Sequence, residues 1–413
     1  MTRYSIFLLG AIALLSSCKK QVETSPISTI TLENQLAIDR VQEVVRIPKE
    51  NVLASLDTII HDGQLPVLVD STGVVIPQQW EDTDGDGKWD ELLTALDFKA
   101  NESLEITLEV LGATEVPSFT MHTDVHFGIG KAKPVANEVP LYTRQGDPRE
   151  KDSLFFQMEG PAWENDKVGF RNYFDPRNGV DIFGKTTSKM ALSKAGLTTN
   201  YHELADWGMD ILKVGNSLGS GAIALKHNDT LSRITGVENT EFHLIKEGPI
   251  QAVFELVHKG HKIGGQTLDI TNRISIAKGQ WGYKSEVSFS GLAANSHLVS
   301  GIVNFKPNEM SAKLVDDYNV VLSYGEQSEN KDKLGMAILT PSSHYIGQEN
   351  APKEGDGIVK TYLVTMKASN TAPTSYYFLS GWQLSDPAFQ TKAGFEQMVA
   401  TTAKRLSHPI IVK

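Results

Sequence analysis

The feature that most constrains this chain is a period-two alternation of apolar and charged residues, sustained through long segments of its second half. EFHLIKEGPIQAVFELVH (241–258), GQTLDITNRISIA (265–277) and WGYKSEVSFSG (281–291) all carry it. Successive side chains of a strand point to opposite faces, so this pattern specifies antiparallel strands with one face in a core and the other toward water. NVVLSYG (319–325), GMAILTP (335–341), KTYLVTMKA (360–368) and SYYFLSGWQL (375–384) add further strands. Near the N-terminus VQEVVRI, LPVLVD, GVVIPQQW and LEITLEVL read the same way, bounded by Gly, Pro, Asn or Asp. One helix is expected, from Asp386 to Leu406. Asp386-Pro387 supplies a cap and a first-turn proline, and Phe389, Ala393, Phe395, Met398, Val399 and Leu406 lie mostly on one face. No repeat of 20–50 residues appears, which disfavours a propeller or solenoid. The expected fold is mainly β: a large antiparallel β-sandwich over 117–413, a small N-terminal β unit over 32–112, and a C-terminal helix.

The first 18 residues stand apart. Arg3 precedes an apolar stretch from Ile6 to Leu15, too short to span a bilayer, and Leu15-Ser16-Ser17-Cys18 resembles a bacterial lipobox. Cys18 is the sole cysteine, so it forms no internal disulfide and no cysteine-based zinc site. It is the expected lipidation residue, which makes residues 1–18 a lipoprotein signal and places the protein at the cell envelope, periplasmic or associated with the outer membrane. Residues 19–31 are polar and read as a tether. A net charge of −11 offers no broad basic field for phosphates and argues against nucleic acid as a partner.

Two stretches carry chemistry. In EDTDGDGKWDE (81–91), Asp82, Asp84 and Asp86 with Gly87 match the early positions of a calcium loop, and Asp90 falls at the ninth. The bidentate glutamate of the twelfth position is replaced by Leu93. The alternatives are a structural calcium that braces the turn and an acidic hairpin turn in solvent.

The stretch from Met158 to Leu218 is dense in aromatics, carboxylates, amides and cations among Gly and Pro, as expected of sugar-binding loops. Trp163, Glu164, Asn165, Arg177, Asp206, Trp207, Asp210 and Lys213 are the candidate substrate contacts. Tyr201 and His202 are the candidate acid/base pair. Adjacent strand residues face opposite ways, so both can reach one substrate only from a loop. His122 with His126 and His258 with His261 are weaker groupings, each lacking a third metal ligand in register. No phosphate loop and no nucleophile elbow with a triad is present.

The segments GPAWENDKVGFRNYFDPRNGVDIFGK (160–185) and YHELADWGMDILKVGNSLGSG (201–221), with DTDGDGKWDEL (82–92) upstream, resemble a bacterial secreted family long catalogued as a domain of unknown function. Its members commonly accompany polysaccharide-degrading enzymes. The resemblance implies a supersandwich similar to that of sugar mutarotases and polysaccharide lyases. It also implies an oligosaccharide dehydratase that removes water from a terminal uronic acid, as in ulvan degradation, working beside other enzymes of the same pathway. Such an elimination needs a cation to neutralise the substrate carboxylate, for which Arg171, Arg177 or Lys213 is available, and a base and an acid, for which Tyr201 and His202 are available; with a glycosidic oxygen as the leaving group the same residues would make a chain-cleaving lyase. No cofactor is required for that chemistry. A glycosidase or mutarotase-like enzyme would instead draw a carboxylate pair from Glu159, Glu164, Asp206 and Asp210. A non-catalytic glycan-binding lipoprotein would rely on Trp163 and Trp207.

Overall fold

A computed structural model describes residues 28–145, 155–198, 200–235, 237–306 and 308–413. The lipobox-like segment and Cys18 lie outside the described residues. The alternating segments form the sheets they predict. Nine antiparallel strands, in the order Leu141–Arg144, Asn239–Lys246, Gln251–Ile263, Gln266–Ala277, Gly282–Ser290, Thr374–Trp382, Leu334–Pro341, Tyr318–Gly325 and Met310–Val315, make one long sheet.

Two five-stranded sheets cover one face of it. The first runs Gly208–Asp210, Val180–Lys185, Val168–Asn172, Ala162–Asn165, Thr123–His126. The second runs Thr230–Arg233, Ser220–His227, Ser296–Val303, Thr361–Lys367, Tyr345–Asn350. A single core joins all three: Trp163, Phe170 and Ile182 from the first, Leu225, Leu298 and Val364 from the second, and Phe254, Ile274, Tyr283 and Phe378 from the long sheet. Two buried tyrosines of the long sheet also bond across the layers, Tyr283 to the Ser220 carbonyl at 2.8 Å and Tyr376 to the Gly221 carbonyl at 2.6 Å. The chain is therefore mainly β, with the expected sandwich.

The opposite face of the long sheet carries the C-terminal helix. Val320, Leu322, Ala337, Leu339 and Leu379 point that way, alternating with Val321, Ile338 and Phe378, which enter the main core. Gly335 and Gly381 are register partners, and a Cβ on either would fall within 2.6 Å of the Phe395 ring. This side-chain-free notch is what lets Phe395 seat the helix. The predicted helix starts later than Asp386. Asp386 caps a short 3₁₀ turn, Pro387–Gln390, and Thr391 then accepts from Gly394 N to start a second element, Lys392–Ser407.

The N-terminal unit packs two small sheets around Ile30, Leu32, Ile47, Leu68, Leu92 and Phe98. Two expectations about boundaries need correction. Thr29–Glu33 is already a strand, so the polar tether stops short of residue 31. The chain's last strand, Ile411–Val412, pairs with Thr29–Glu33 and joins this unit instead of the sandwich. Gln79 fixes the unit to the long sheet. Its amide donates to the Gln251 carbonyl at 2.9 Å and accepts from Ile250 N and Gln251 N at 3.0 Å each.

Trp163 was expected in a binding loop, yet it is fully buried against Phe170, Phe254 and Tyr283. Its substitution by alanine is expected to cost about 3–5 kcal/mol of stability, read from urea unfolding, because a large cavity opens in the shared core.

Candidate functional site

The sheet Thr123–His126, Ala162–Asn165, Val168–Asn172, Val180–Lys185, Gly208–Asp210 has two faces of opposite character. Val125, Trp163, Phe170, Ile182 and Met209 enter the core. Register places Asp124 opposite Glu164, Arg171 opposite Asp181, and Phe183 opposite Asp210, all on the other face together with His126 and Lys185. This polar face is also buried. Met158, Leu192 and Ala195, with Tyr201 and Trp207, form an apolar cover over its middle around Phe183. Gly169 opens space for Leu192, whose Cδ1 would lie 2.8 Å from a Cβ there.

Charge buried in this way must be matched within the protein. Lys185 is sealed against Glu164 and the Asn165 carbonyl, and the second Glu164 oxygen accepts from Ala191 N at 2.6 Å and Leu192 N at 2.7 Å. Arg171 is matched more than once. Its Nη2 lies 2.5 Å from Asp181 Oδ2 and 3.2 Å from Asp210 Oδ2 and donates to Tyr173 Oη at 3.0 Å, while Nη1 donates to the Met158 carbonyl at 2.5 Å. Two carboxylates around one guanidinium leave a surplus of negative charge. Burial, and then Asp181, push the Asp210 carboxyl well above the usual carboxylate range.

The network reaches the surface at two places. Tyr201 and His202 lie on a turn where Glu203 N bonds to the Asn200 carbonyl at 3.2 Å, so these neighbours escape strand alternation. Their ring centroids are 4.4 Å apart, and His202 Nδ1 is 3.4 Å from Asp210 Oδ2 with 60% of the side chain exposed. Tyr201 packs on Phe183, with the Arg171 guanidinium 5.9 Å from its ring. Burial raises the Tyr201 phenol above its ordinary range and Arg171 opposes that shift. At the second place Arg177 lies 3.9 Å over the Tyr173 ring, held by Asp175 at 2.6 Å and Glu159 at 3.2 Å through Nε and Nη2. Its Nη1 has no protein partner among the described residues. Glu159, which also reaches Arg171 at 3.4 Å, and Met158 both hold left-handed backbone, with φ of 64° and 54°. That conformation is uncommon for residues with a Cβ and marks a locally over-determined turn.

The sequence expectations divide accordingly. Tyr201, His202, Asp210, Arg171 and Arg177 form one connected network, but Arg171 and Asp210, at 0% and 2% exposed, are buried out of reach of solvent. Glu164 and Asn165 are also interior. Asn165 donates to the Ala277 carbonyl at 2.6 Å and the Gln280 carbonyl at 2.7 Å. Trp207 is half-buried against Phe183, and Asp206 is exposed on the same turn. Lys213 stands elsewhere, over Phe305 together with Lys360. Glu159, Tyr173 and Asp181 sat in the polar stretch without this role. Lys185 carried no sequence signal at all, since one lysine in a strand looks like a solvent-facing residue.

The metal expectations resolve to geometry. Asp82, Asp84 and Asp86 place ligand atoms within 4.8 Å of one another, a spacing that suits a hard cation held by oxygens. Asp82 already accepts from Gly85 N and Gly87 N, and Asp90 from Thr83 N and Thr83 Oγ1, so the turn is also held by its own backbone. His126 bonds to Gln157 at 2.8 Å. His258 faces Thr240 Oγ1 at 3.3 Å, and burial pushes it down to about 3.

Asp124, beside Glu164, is pushed up to about 7 by burial first and then by Glu164, Glu247 and Glu138. Between the ordinary value of 3.8 and about 7 the folded chain therefore binds more protons than the unfolded chain, and stability falls as pH rises through that window. Asp124→Asn is expected to remove this fall, which urea midpoints at pH 5 and pH 8 will show.

No curated protein matches the chain. Among solved structures it is similar to an alpha-mannosidase from Enterococcus faecalis, at 10% identity and a TM-score of 0.44, over 93% of this chain and 45% of that one. It is likewise similar to a protein in the glycosyl hydrolase family 38 from Enterococcus faecalis, at 11% identity and a TM-score of 0.45, over 93% of this chain and 47% of that one. The chain thus spans a little under half the length of each. Residues 32–412 match the model of a domain of unknown function, DUF4861, and the chain belongs to that family.

Proposed function

We propose that this protein is a carbohydrate-active carbon–oxygen lyase, a dehydratase that eliminates water from the terminal uronic acid of an oligosaccharide such as that of ulvan. The observation that carries this reading is the side-by-side placement of Tyr201 and His202 above the buried Arg171–Asp181–Asp210 network, with Arg177 presenting a free Nη1 nearby on the same network.

In this mechanism Arg177 takes the substrate carboxylate, which lowers the cost of the charge that develops when the C5 proton leaves. His202 is the base. Its Nδ1 faces the Asp210 carboxyl, leaving Nε2 to take the C5 proton. The C5–H electrons become the C4=C5 double bond, the C4–O4 bond breaks, and O4 leaves as water with the Tyr201 phenol proton. Burial keeps that phenol protonated until it is needed. Proton return from His202 to Tyr201 resets the pair. Arg171 acts from below as a fixed positive charge that eases the transient phenolate.

A carboxylate-pair glycosidase is less well served by these side chains. Glu164 is consumed by Lys185 and two backbone amides, Asp210 is buried beside Arg171, and Glu159 is engaged by Arg171 and Arg177, which leaves the exposed Asp206. A location at the cell envelope through a lipidated Cys18 is part of the same proposal.

Glucuronate-ended oligosaccharides are expected to gain the ultraviolet absorbance of a conjugated double bond, with His202→Ala and Tyr201→Phe each losing about 10²–10⁴-fold in rate. Arg177→Gln should raise KM on the order of tenfold, whereas Lys213→Gln should change neither constant. No new chromophore with any uronate-ended substrate would sink the reading. Cys18→Ser is expected to move the protein from the membrane fraction to the soluble fraction, as measured by detergent-free fractionation.

A further inference from the structure

A cavity of about 580 Å³ lies where the N-terminal unit, the long sheet and the C-terminal helix meet. That volume is in the usual range for small-molecule pockets, which favour such junctions. No residue of the Tyr201–His202 site lines it.

Its wall is shaped by close backbone approach. A bulge in the strand Arg40–Pro48 puts Gln42 at φ 50°, against Gly279 at φ 75°, where a Cβ would lie 2.8 Å from Gln42 Cβ. The turn that carries Gly279 and Trp281 is anchored from the catalytic sheet by Asn165 and by Asp166, which accepts from Gly279 N at 2.7 Å.

The charge of the lining selects the ligand. Arg46, Lys284 and Arg405 face the cavity against a single carboxylate, Glu43. Each cation has a carboxylate at one edge, yet they keep 46%, 32% and 26% of their side-chain surface exposed. Trp281 and Tyr377 add aromatic surface beside glutamine amides. An acyl chain would strip water from these groups without replacing it, whereas a sugar acid offers hydroxyls to the amides, a carboxylate to the cations and C–H faces to the rings.

We propose that this cavity is a second, non-catalytic binding site for an acidic oligosaccharide, a choice of ligand class that rests on the substrate reading above. The test is calorimetric titration of the full chain in a His202→Ala background, using a glucuronate-ended tetrasaccharide and its neutral glucose-ended analogue. Adding Thr401→Trp, which fills the cavity from the helix, is expected to reduce the number of bound acidic tetrasaccharides by one. Lys284→Glu should weaken that site on the order of tenfold, and the neutral analogue should not occupy it. A stoichiometry unmoved by Thr401→Trp, or equal occupancy by the neutral tetrasaccharide or by dodecanoate, overturns the proposal. Elimination is read separately in the chain that retains His202, where Thr401→Trp should leave the rate unchanged. Loss of one bound tetrasaccharide without any elimination would sink the catalytic reading and leave this one standing.

Discussion

The structure depends on one buried ionic constraint: a sheet whose second face is charged and cannot reach water. Arg171 and Lys185 are held there at essentially no exposure, and each must find its counter-charge inside the protein. Lys185 has one carboxylate and is closed. Arg171 has two buried ones, Asp181 and Asp210, besides the half-exposed Glu159, and the surplus is expressed at Asp210, the group that contacts His202. An ordinary sandwich would fill this face with aliphatic side chains at lower cost in desolvation. Keeping it charged makes sense where the charge acts on something at the surface, and the two surface outlets of the network are the two ends of the candidate site.

Much of the architecture was legible in the sequence because it followed a single rule. In the long sheet one face packs on the core and the other turns charge to water except where apolar residues meet the helix, so alternation in segments such as GQTLDITNRISIA marks strand and orientation together. The same rule failed for WENDKVGFRN. Both faces of that segment are buried, and its polar residues read as an exposed loop when they are the interior lining of a sheet. Trp163, Glu164 and Asn165 are expected at substrate on that basis, and all three are fully buried. The composition of the stretch marked where buried charge gathers and did not say which side chains reach the surface.

Tyr201 and His202 show the converse. On a strand their adjacency would have separated them. The Asn200–Glu203 turn brings them together, and that turn depends on the Asn200 side chain, which accepts from His202 N and bonds to Glu203. The pairing of Arg171 with Asp181 across ten residues, and with Asp210 across 39, is set by strand register, which no local pattern encodes. The N-terminal boundary was misjudged for a similar reason: Ile411–Val412 is too short to read as a strand and finds its partner at the far end of the chain.

That strand ties the folding of the N-terminal unit to a segment far along the chain. The N-terminal unit precedes the sandwich in sequence, but an edge of its sheet is unfilled until residue 412 is in place. Arg40, at the heart of the same unit, likewise donates to the His408 carbonyl at 2.5 Å. A domain that emerges early would ordinarily fold early. Here the N-terminal unit cannot complete its sheet before residues 411 and 412 are in place, so its folding is tied to that of a segment almost 400 residues away in sequence.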